Sequence, residues 1–293
     1  MTDVGLGRIG LWTGGLDQLP VPEARTVAAE IDGQGWGALW IPEAYGREAF
    51  VNAAMLLAAS PRITLATGIA NIYGRDPITA AGATRLLADQ FPGRFVLGLG
   101  VSHAPMVEQM RGHRYASPAA TMRGYLEALA QAPYAAVGDA RPPVLIAALG
   151  PKMLEVAREC ADGIHPYLVV PERIAQSRQV LGPDSVIAVE QGVTLSTDRS
   201  ESDPWVRDHL EVYTGLPNYR NSWLRQGFDE QDLVPGGSPR LQDAMVVRGP
   251  AAIQQRVQEH FDAGADHVCL QILGPTPHAL DREQTARLAE LLL

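Results

Sequence analysis

The sequence predicts an α/β protein built as a (β/α)8 TIM barrel, with an insertion between its seventh and eighth strands. Two observations carry this expectation. Short apolar runs alternate with amphipathic stretches along nearly the whole chain, which implies a parallel sheet with both faces covered. The runs number eight, the count that closes a barrel. A length of 293 residues suits a single barrel domain spanning 1–293. The rival open sheet would carry a Gly-rich turn after its first strand, where Gly14-Gly15-Leu16 is too short a match.

Strand one is Arg8–Trp12, followed by a helical pattern at Glu23–Gln34. Gly37–Ile41 is strand two, with Glu48–Ala59 behind it. The third strand, Ile63–Ile69, begins regularly: Ile63, Leu65 and Ile69 are spaced by small residues, and Thr64 and Thr67 suit a pleated surface. It then turns irregular. Gly68 opens backbone geometry closed to other residues, Asn71 places an amide where the strand leaves the sheet, and Pro77 suits the first turn before Thr79–Gln90. Such an irregular C-terminal strand end is where α/β proteins place ligands. The remaining strands are Phe95–Gly100, Val144–Leu149, Gly163–Val169, Val186–Leu195 and His267–Leu273. Helical patterns at Ala119–Gln131, Lys152–Cys160, Pro171–Val180, Ala251–Ala263 and Pro277–Leu292 accompany them.

Two connections are longer than the alternation requires. His103–Tyr115 holds His103, Met106, Met110, His113 and Tyr115. Asp203–Val247 interleaves Trp205, Tyr213, Tyr219, Trp223 and Phe228 with polar residues. A long connection in a barrel is a lid over the site, or else a helical insert or oligomer contact.

Composition narrows the function. A net charge of −9 argues against a general nucleic-acid binder and leaves any anionic ligand to a local cationic cluster. No apolar run approaches the ~18 residues of a membrane span, and Met1-Thr-Asp-Val-Gly lacks the layout of a secretory signal. Cys160 and Cys269 are too few for a disulfide framework or a zinc site. A cytoplasmic protein acting on a small organic molecule is expected.

The strand ends offer Trp12, Glu43, Asn71, Ser102, Leu149, His165, Glu190 and Gln271. Schiff-base chemistry needs a buried lysine, and the one lysine, Lys152, stands at a helix start. No H-x-H or H-E-x-x-H spacing supports a metal. Glu43 and Glu190 leave open a glycosidase pair. What remains is a weakly charged mouth suited to a planar cofactor that brings its own chemistry. Ala147-Ala-Leu-Gly-Pro-Lys152 supports this, because a strand ending at Gly150 with a helix starting at Pro151 presents free N–H groups to an anion. Lys152 adds a cation there; an ordinary turn with a solvated lysine is the alternative.

Four stretches, in order, resemble the bacterial luciferase-like superfamily, in particular its deazaflavin (F420)-dependent oxidoreductases. They are Gly37-Ala-Leu-Trp-Ile-Pro-Glu43; Ala66-Thr-Gly-Ile-Ala-Asn71 with Arg75-Asp-Pro77; Gly93-Arg-Phe-Val-Leu-Gly-Leu-Gly-Val-Ser102; and Ile146-Ala-Ala-Leu-Gly-Pro-Lys152 followed by Ala161-Asp-Gly163. The resemblance implies F420 in the barrel mouth, with FMN and monooxygenase chemistry as the alternative, and a homodimer. It also implies a cis peptide at Gly68–Ile69 under the cofactor ring, with Asn71 against the ring's polar edge. Ala148, Leu149, Gly150, Lys152, His165 and Tyr167 fall where the family holds the phosphate-bearing tail, and Ser102 is a further expected cofactor contact. Two family positions differ. Glu43-Ala44 stands where many members have Asp-His, and Val101-Ser102-His103 where several carry a glutamate. Glu43 and His103 are therefore the candidate proton-transfer groups, with Trp12, Tyr45 and His113 as substrate contacts. The missing histidine also keeps open a non-catalytic cofactor carrier.

Overall fold

The computed structural model describes residues 4–293. Ten strands run in chain order: β1 Ile9–Trp12, β2 Ala38–Ile41, β3 Thr64–Thr67, β4 Ala70–Asn71, β5 Phe95–Gly100, β6 Val144–Ile146, β7 Gly163–Ile164, β8 Val186–Thr194, β9 Val246–Arg248 and β10 His267–Ile272. All pairings are parallel, and β10 pairs with both β8 and β1, which closes the ring. The expected third strand is two short pieces, β3 and β4, that both pair with β5. The closed sheet with alternating helices is the (β/α)8 barrel expected from the alternation.

Strand alternation sorts the core into two layers. Leu39 and Ile41 of β2 point outward to the helices, while Ala38 and Trp40 point into the barrel with Ala66, Val96, Leu145 and Ala188. Alanines on neighbouring strands leave room for the Trp40 indole, which is fully buried. The helices start where the sequence provides a stop to the strand and a preset φ: Pro77, Pro118, Pro151, Pro171 and Pro250 each occupy a first helical position.

Several boundaries differ from the expectation. β6 ends at Ile146 and β7 at Ile164, so Ala147–Leu149 and His165–Val169 are loop. The last helix begins at Arg282, because Asp281 caps it by accepting the Gln284 N–H, and residues 275–281 are loop. Met106–Met110 forms a single π-helical turn, an arrangement frequent at functional sites. β9 went unread: it lies outside the ring, paired to the far end of β8 at Gly192–Val246.

The long connection is helical. Arg199–Thr214, Pro217–Arg225 and Pro239–Met245 pack together with β9, burying Val206, Leu210, Trp223, Phe228, Leu241 and Met245 around Leu168 of the barrel. Trp223 is fully buried and its indole N–H donates to the Leu168 carbonyl at 3.1 Å. Among the described residues no helix is long and apolar enough to cross a membrane, and no cluster of three metal-ligating side chains occurs.

Trp223→Ala removes the centre of this cluster and should cost about 3–5 kcal/mol. Denaturant unfolding followed by far-UV circular dichroism measures it. A loss below about 1 kcal/mol would show that the inserted helices are held by other contacts.

Candidate active site at the barrel mouth

A cavity of about 360 Å³ opens at the C-terminal ends of the strands. The strand ends form its floor, the loop 273–281 one wall, and Trp205, His209, Tyr213 and Tyr219 of the inserted helices its roof. Of the residues singled out from sequence, Trp12, Glu43, Tyr45, Gly68, Ile69, Ser102, His103, His165 and Tyr167 line it. Asn71, His113, Ala148, Leu149, Gly150 and Lys152 do not.

The floor is built on the break in the third strand. The Gly68–Ile69 peptide is cis, as expected. A Cβ on Gly68 would lie 2.5 Å from Trp12 Nε1 and 3.1 Å from His165 Nε2, so only glycine fits there. Both of those nitrogens are buried without a hydrogen-bond partner among the described residues. Nδ1 of His165 bonds the Ala188 carbonyl at 2.8 Å, which places its proton there and leaves Nε2 a bare acceptor. Its ring stacks on Trp40 with centroids 4.1 Å apart, and Trp40 in turn donates to His267 Nε2. One indole donor and one imidazole acceptor thus lie buried against Gly68 in the floor.

Glu43 lies at the rim, but its oxygens are occupied. They accept from the Asn71 amide N–H at 2.7 Å and from the Arg75 guanidinium, and both side chains of the ion pair are less than a tenth exposed. Arg75 also meets Glu48, and burial and these carboxylates act on it in opposite senses, with a net rise above its ordinary value. Asn71 is turned away from the expected ring. Its Oδ1 accepts from the Tyr73 N–H and caps the short turn Ile72–Gly74. A side-chain cap that satisfies a buried N–H outweighs an amide left facing the cavity.

His103 lines the cavity beside Tyr219, with ring centroids 5.8 Å apart. Burial lowers its pKa, and a hydrogen bond with Asn218 of the insertion works against this. Ser102 adopts φ 55°, and its carbonyl accepts from Tyr115. His113 sits outside the cavity against the Tyr73 ring.

Next to the cavity, the helix Pro151–Cys160 starts at Gly150 with no side-chain cap. Arg173 and Arg225 both donate to the Leu149 carbonyl, at 3.2 and 3.5 Å. Neither meets a carboxylate among the described residues. Arg173 is held below its ordinary value, first by burial and then by the charge of Arg225. Of these cations the sequence pointed only to Lys152 at this turn. Arg225 arrives from the insertion, at a distance in sequence that no spacing rule links to Gly150.

A model of the luciferase-like monooxygenase family matches residues 8–232. The chain belongs to that family. A Mycobacterium tuberculosis protein provisionally named a coenzyme F420-dependent oxidoreductase is 25% identical over 251 residues, covering 71% of each chain. A 5,10-methylenetetrahydromethanopterin reductase of Archaeoglobus fulgidus is 28% identical, covering 87% of this chain and 89% of that one. The solved structure of an F420-dependent secondary alcohol dehydrogenase with an F420–acetone adduct superposes with a TM-score of 0.75 at 14% identity, over 98% of both chains.

Burial sets the electrostatics of this luciferase-like barrel. His165, His209 and His267 are lowered to about 4, and His260 to about 3, all chiefly by burial. Glu190, in mid-strand β8, accepts the Leu168 N–H with one oxygen, and the other has no partner among the described residues. Burial pushes its carboxyl up to about 8. It does not line the cavity, so the Glu43 and Glu190 pair expected for a glycosidase is not assembled there.

Two tests follow from these ionisations. Histidines depressed in the folded state stabilise it above their ordinary 6.5, and that contribution is lost as pH falls toward 4. Glu190, raised from 4.5 to about 8, stabilises below 4.5 and loses that contribution as pH rises through 8. Folding stability measured by denaturant should therefore climb from pH 4 to 6.5 and decline from 6.5 to 8. Glu190→Gln should abolish the decline; an unchanged decline would refute the assignment. Separately, Arg75→Met leaves the Glu43 carboxylate buried without its partner and should cost about 3–5 kcal/mol, much of it recovered in the double variant with Glu43→Gln. A single variant as stable as the wild type would show the pair to be dispensable.

Proposed function

We propose that this luciferase-like protein is an F420-dependent oxidoreductase that moves a hydride between the deazaflavin and a small organic substrate. The observation that carries this reading is the division of charge at the mouth. Among the described residues the cavity lining includes no arginine or lysine, whereas the uncapped helix start beside it gathers Arg173, Arg225 and Lys152. A flat uncharged ring with an anionic tail fits that division. The residues fit the group in a second respect: Gly68 and Ile69 line the uncharged cavity, and Trp12 Nε1 and His165 Nε2, packed against Gly68, are buried polar atoms with no hydrogen-bond partner among the described residues.

When bound, F420 would supply the redox step at C5 of its ring. The protein's own part is placement. The cis bulge and Trp12 would back the ring, and the amides at Gly150 with Arg173 and Arg225 would hold the phosphate. Tyr213, Tyr219 and Trp205 would exclude water from the substrate side. His103, supported by Asn218 and neutral near physiological pH, is the group placed to exchange the substrate proton. Glu43 is not, because Arg75 and two backbone amides occupy its oxygens. The names of the related proteins favour F420 over FMN, and a cytoplasmic homodimer completes the proposal.

Titrating the apo-protein with F420 and with FMN, following cofactor fluorescence and protein melting, tests it. F420 at a hundredfold excess over its Kd should stabilise the fold by about 2.7 kcal/mol. Tight FMN binding without F420 binding would overturn the reading. In Gly150→Asp the new side chain has room, since the nearest group to its Cβ is Arg225 Nη2 at 3.7 Å, but its charge would oppose the phosphate. Affinity for F420 should fall at least tenfold; unchanged affinity would refute the phosphate turn.

A further inference from the structure

Three polar side chains of the cavity wall are joined in a directed chain. Tyr167 Oη donates to Gln271 Oε1 at 2.7 Å. An amide oxygen only accepts, so the single phenolic proton of Tyr167 is committed. Tyr213 must then be the donor in its 3.2 Å contact with Tyr167, which commits the Tyr213 proton as well. The consequences appear at the two ends. Tyr213 Oη is left with lone pairs and no proton to give, and Gln271 Nε2 is left with its hydrogens, bonded to nothing among the described residues. All three residues line the cavity. Tyr167 belongs to the loop after β7, Gln271 to β10, and Tyr213 to the inserted helix Arg199–Thr214.

The rings are held as firmly as the hydroxyls. Tyr213 packs against Tyr219 at 4.8 Å and against His209 at 5.4 Å, and Tyr167 packs against Trp12 at 5.6 Å. Burial raises Tyr167, Tyr213 and the adjacent Tyr219 above their ordinary value, so both hydroxyls of the chain remain neutral. Among the described residues no arginine or lysine lines the cavity around it, and its acidic residues are Glu43, Asp208 and Asp281.

We infer that Tyr213 is a specificity-determining residue that, with Gln271, selects an uncharged substrate bearing an alcohol or carbonyl oxygen. A hydroxyl donates to Tyr213 Oη and accepts from Gln271 Nε2, whereas a carbonyl accepts from Gln271 alone. At this chain a carboxylate finds one neutral amide donor, no arginine or lysine and an acceptor-only phenol, so it is rejected. Because Tyr213 lies on the insertion, this reading assigns to that insertion the choice of substrate. The inference rests on the cavity being the substrate site of the proposed oxidoreductase.

The test uses quenching of tryptophan fluorescence, since Trp12 and Trp205 both line the cavity. The full chain is titrated with cyclohexanol, cyclohexanone, cyclohexanecarboxylate and methylcyclohexane, without and with F420. Cyclohexanol should bind most tightly and the carboxylate least. Tyr213→Phe should weaken cyclohexanol about tenfold, the value of one hydrogen bond, and leave cyclohexanone and methylcyclohexane unchanged. Gln271→Met should weaken both oxygenated probes; melting curves confirm that each variant is folded. Equal binding of cyclohexanol to wild type and Tyr213→Phe, or carboxylate binding as tight as alcohol binding, would overturn the inference. Discrimination that persists in a protein that fails to bind F420 would overturn the cofactor reading and leave this one standing.

Discussion

After Thr67 the third strand can no longer pair with β5 through its backbone alone. The Thr67 hydroxyl takes over, donating to the Gly98 carbonyl at 2.7 Å and accepting the Gly98 N–H at 2.8 Å. A side chain thus fills two rungs of the ladder, and the backbone is released to turn at Gly68–Ile69 and to resume pairing at Ala70. Gly98 has no alternative residue, because a Cβ would sit 1.8 Å from the Thr67 carbonyl oxygen. On the far side of the turn, Glu43 reaches across from the end of β2 to hold the Asn71 N–H and Arg75. Buried backbone groups cost about 1–3 kcal/mol each when left unpaired. These side chains make the irregular strand tolerable, and the floor of the cavity depends on it.

The same substitution of packing for charge runs through the mouth. Imidazoles are stacked or hydrogen-bonded into neutral forms, phenols are kept protonated, and the rim carboxylate is neutralised by an arginine. Unpaired positive charge is gathered at the helix start outside. Low dielectric makes each neutral hydrogen-bonding group count for more. Such a site lends orientation and exclusion of water rather than acid strength, which is why a cofactor carrying its own redox chemistry suits it.

The barrel was legible in the sequence because apolar runs and amphipathic stretches report burial directly, and burial alone decides that architecture. Phe95–Gly100 was read to the residue, since a strand buried on both faces is an unbroken apolar run. Strand ends were read too long at Leu149 and Val169, where apolar residues continue into loops that pack under the insertion. The cis peptide at Gly68–Ile69 was implied by the family resemblance, and the helix start at Gly150-Pro151 was legible from neighbouring residues alone.

What the tertiary structure decided is everything that depends on partners distant in sequence. Asn71 faces a turn rather than the cavity because its Oδ1 accepts the Tyr73 N–H, while Glu43 holds its backbone N–H. Arg225 reaches the Leu149 carbonyl across 76 positions, and Tyr213 joins Tyr167 and Gln271 from three separate segments. Hydrophobic pattern is a property of neighbours along the chain, so the sequence by itself determined the barrel and the place of its mouth. Hydrogen-bond direction and charge pairing are properties of neighbours in space, and only the folded chain could set them.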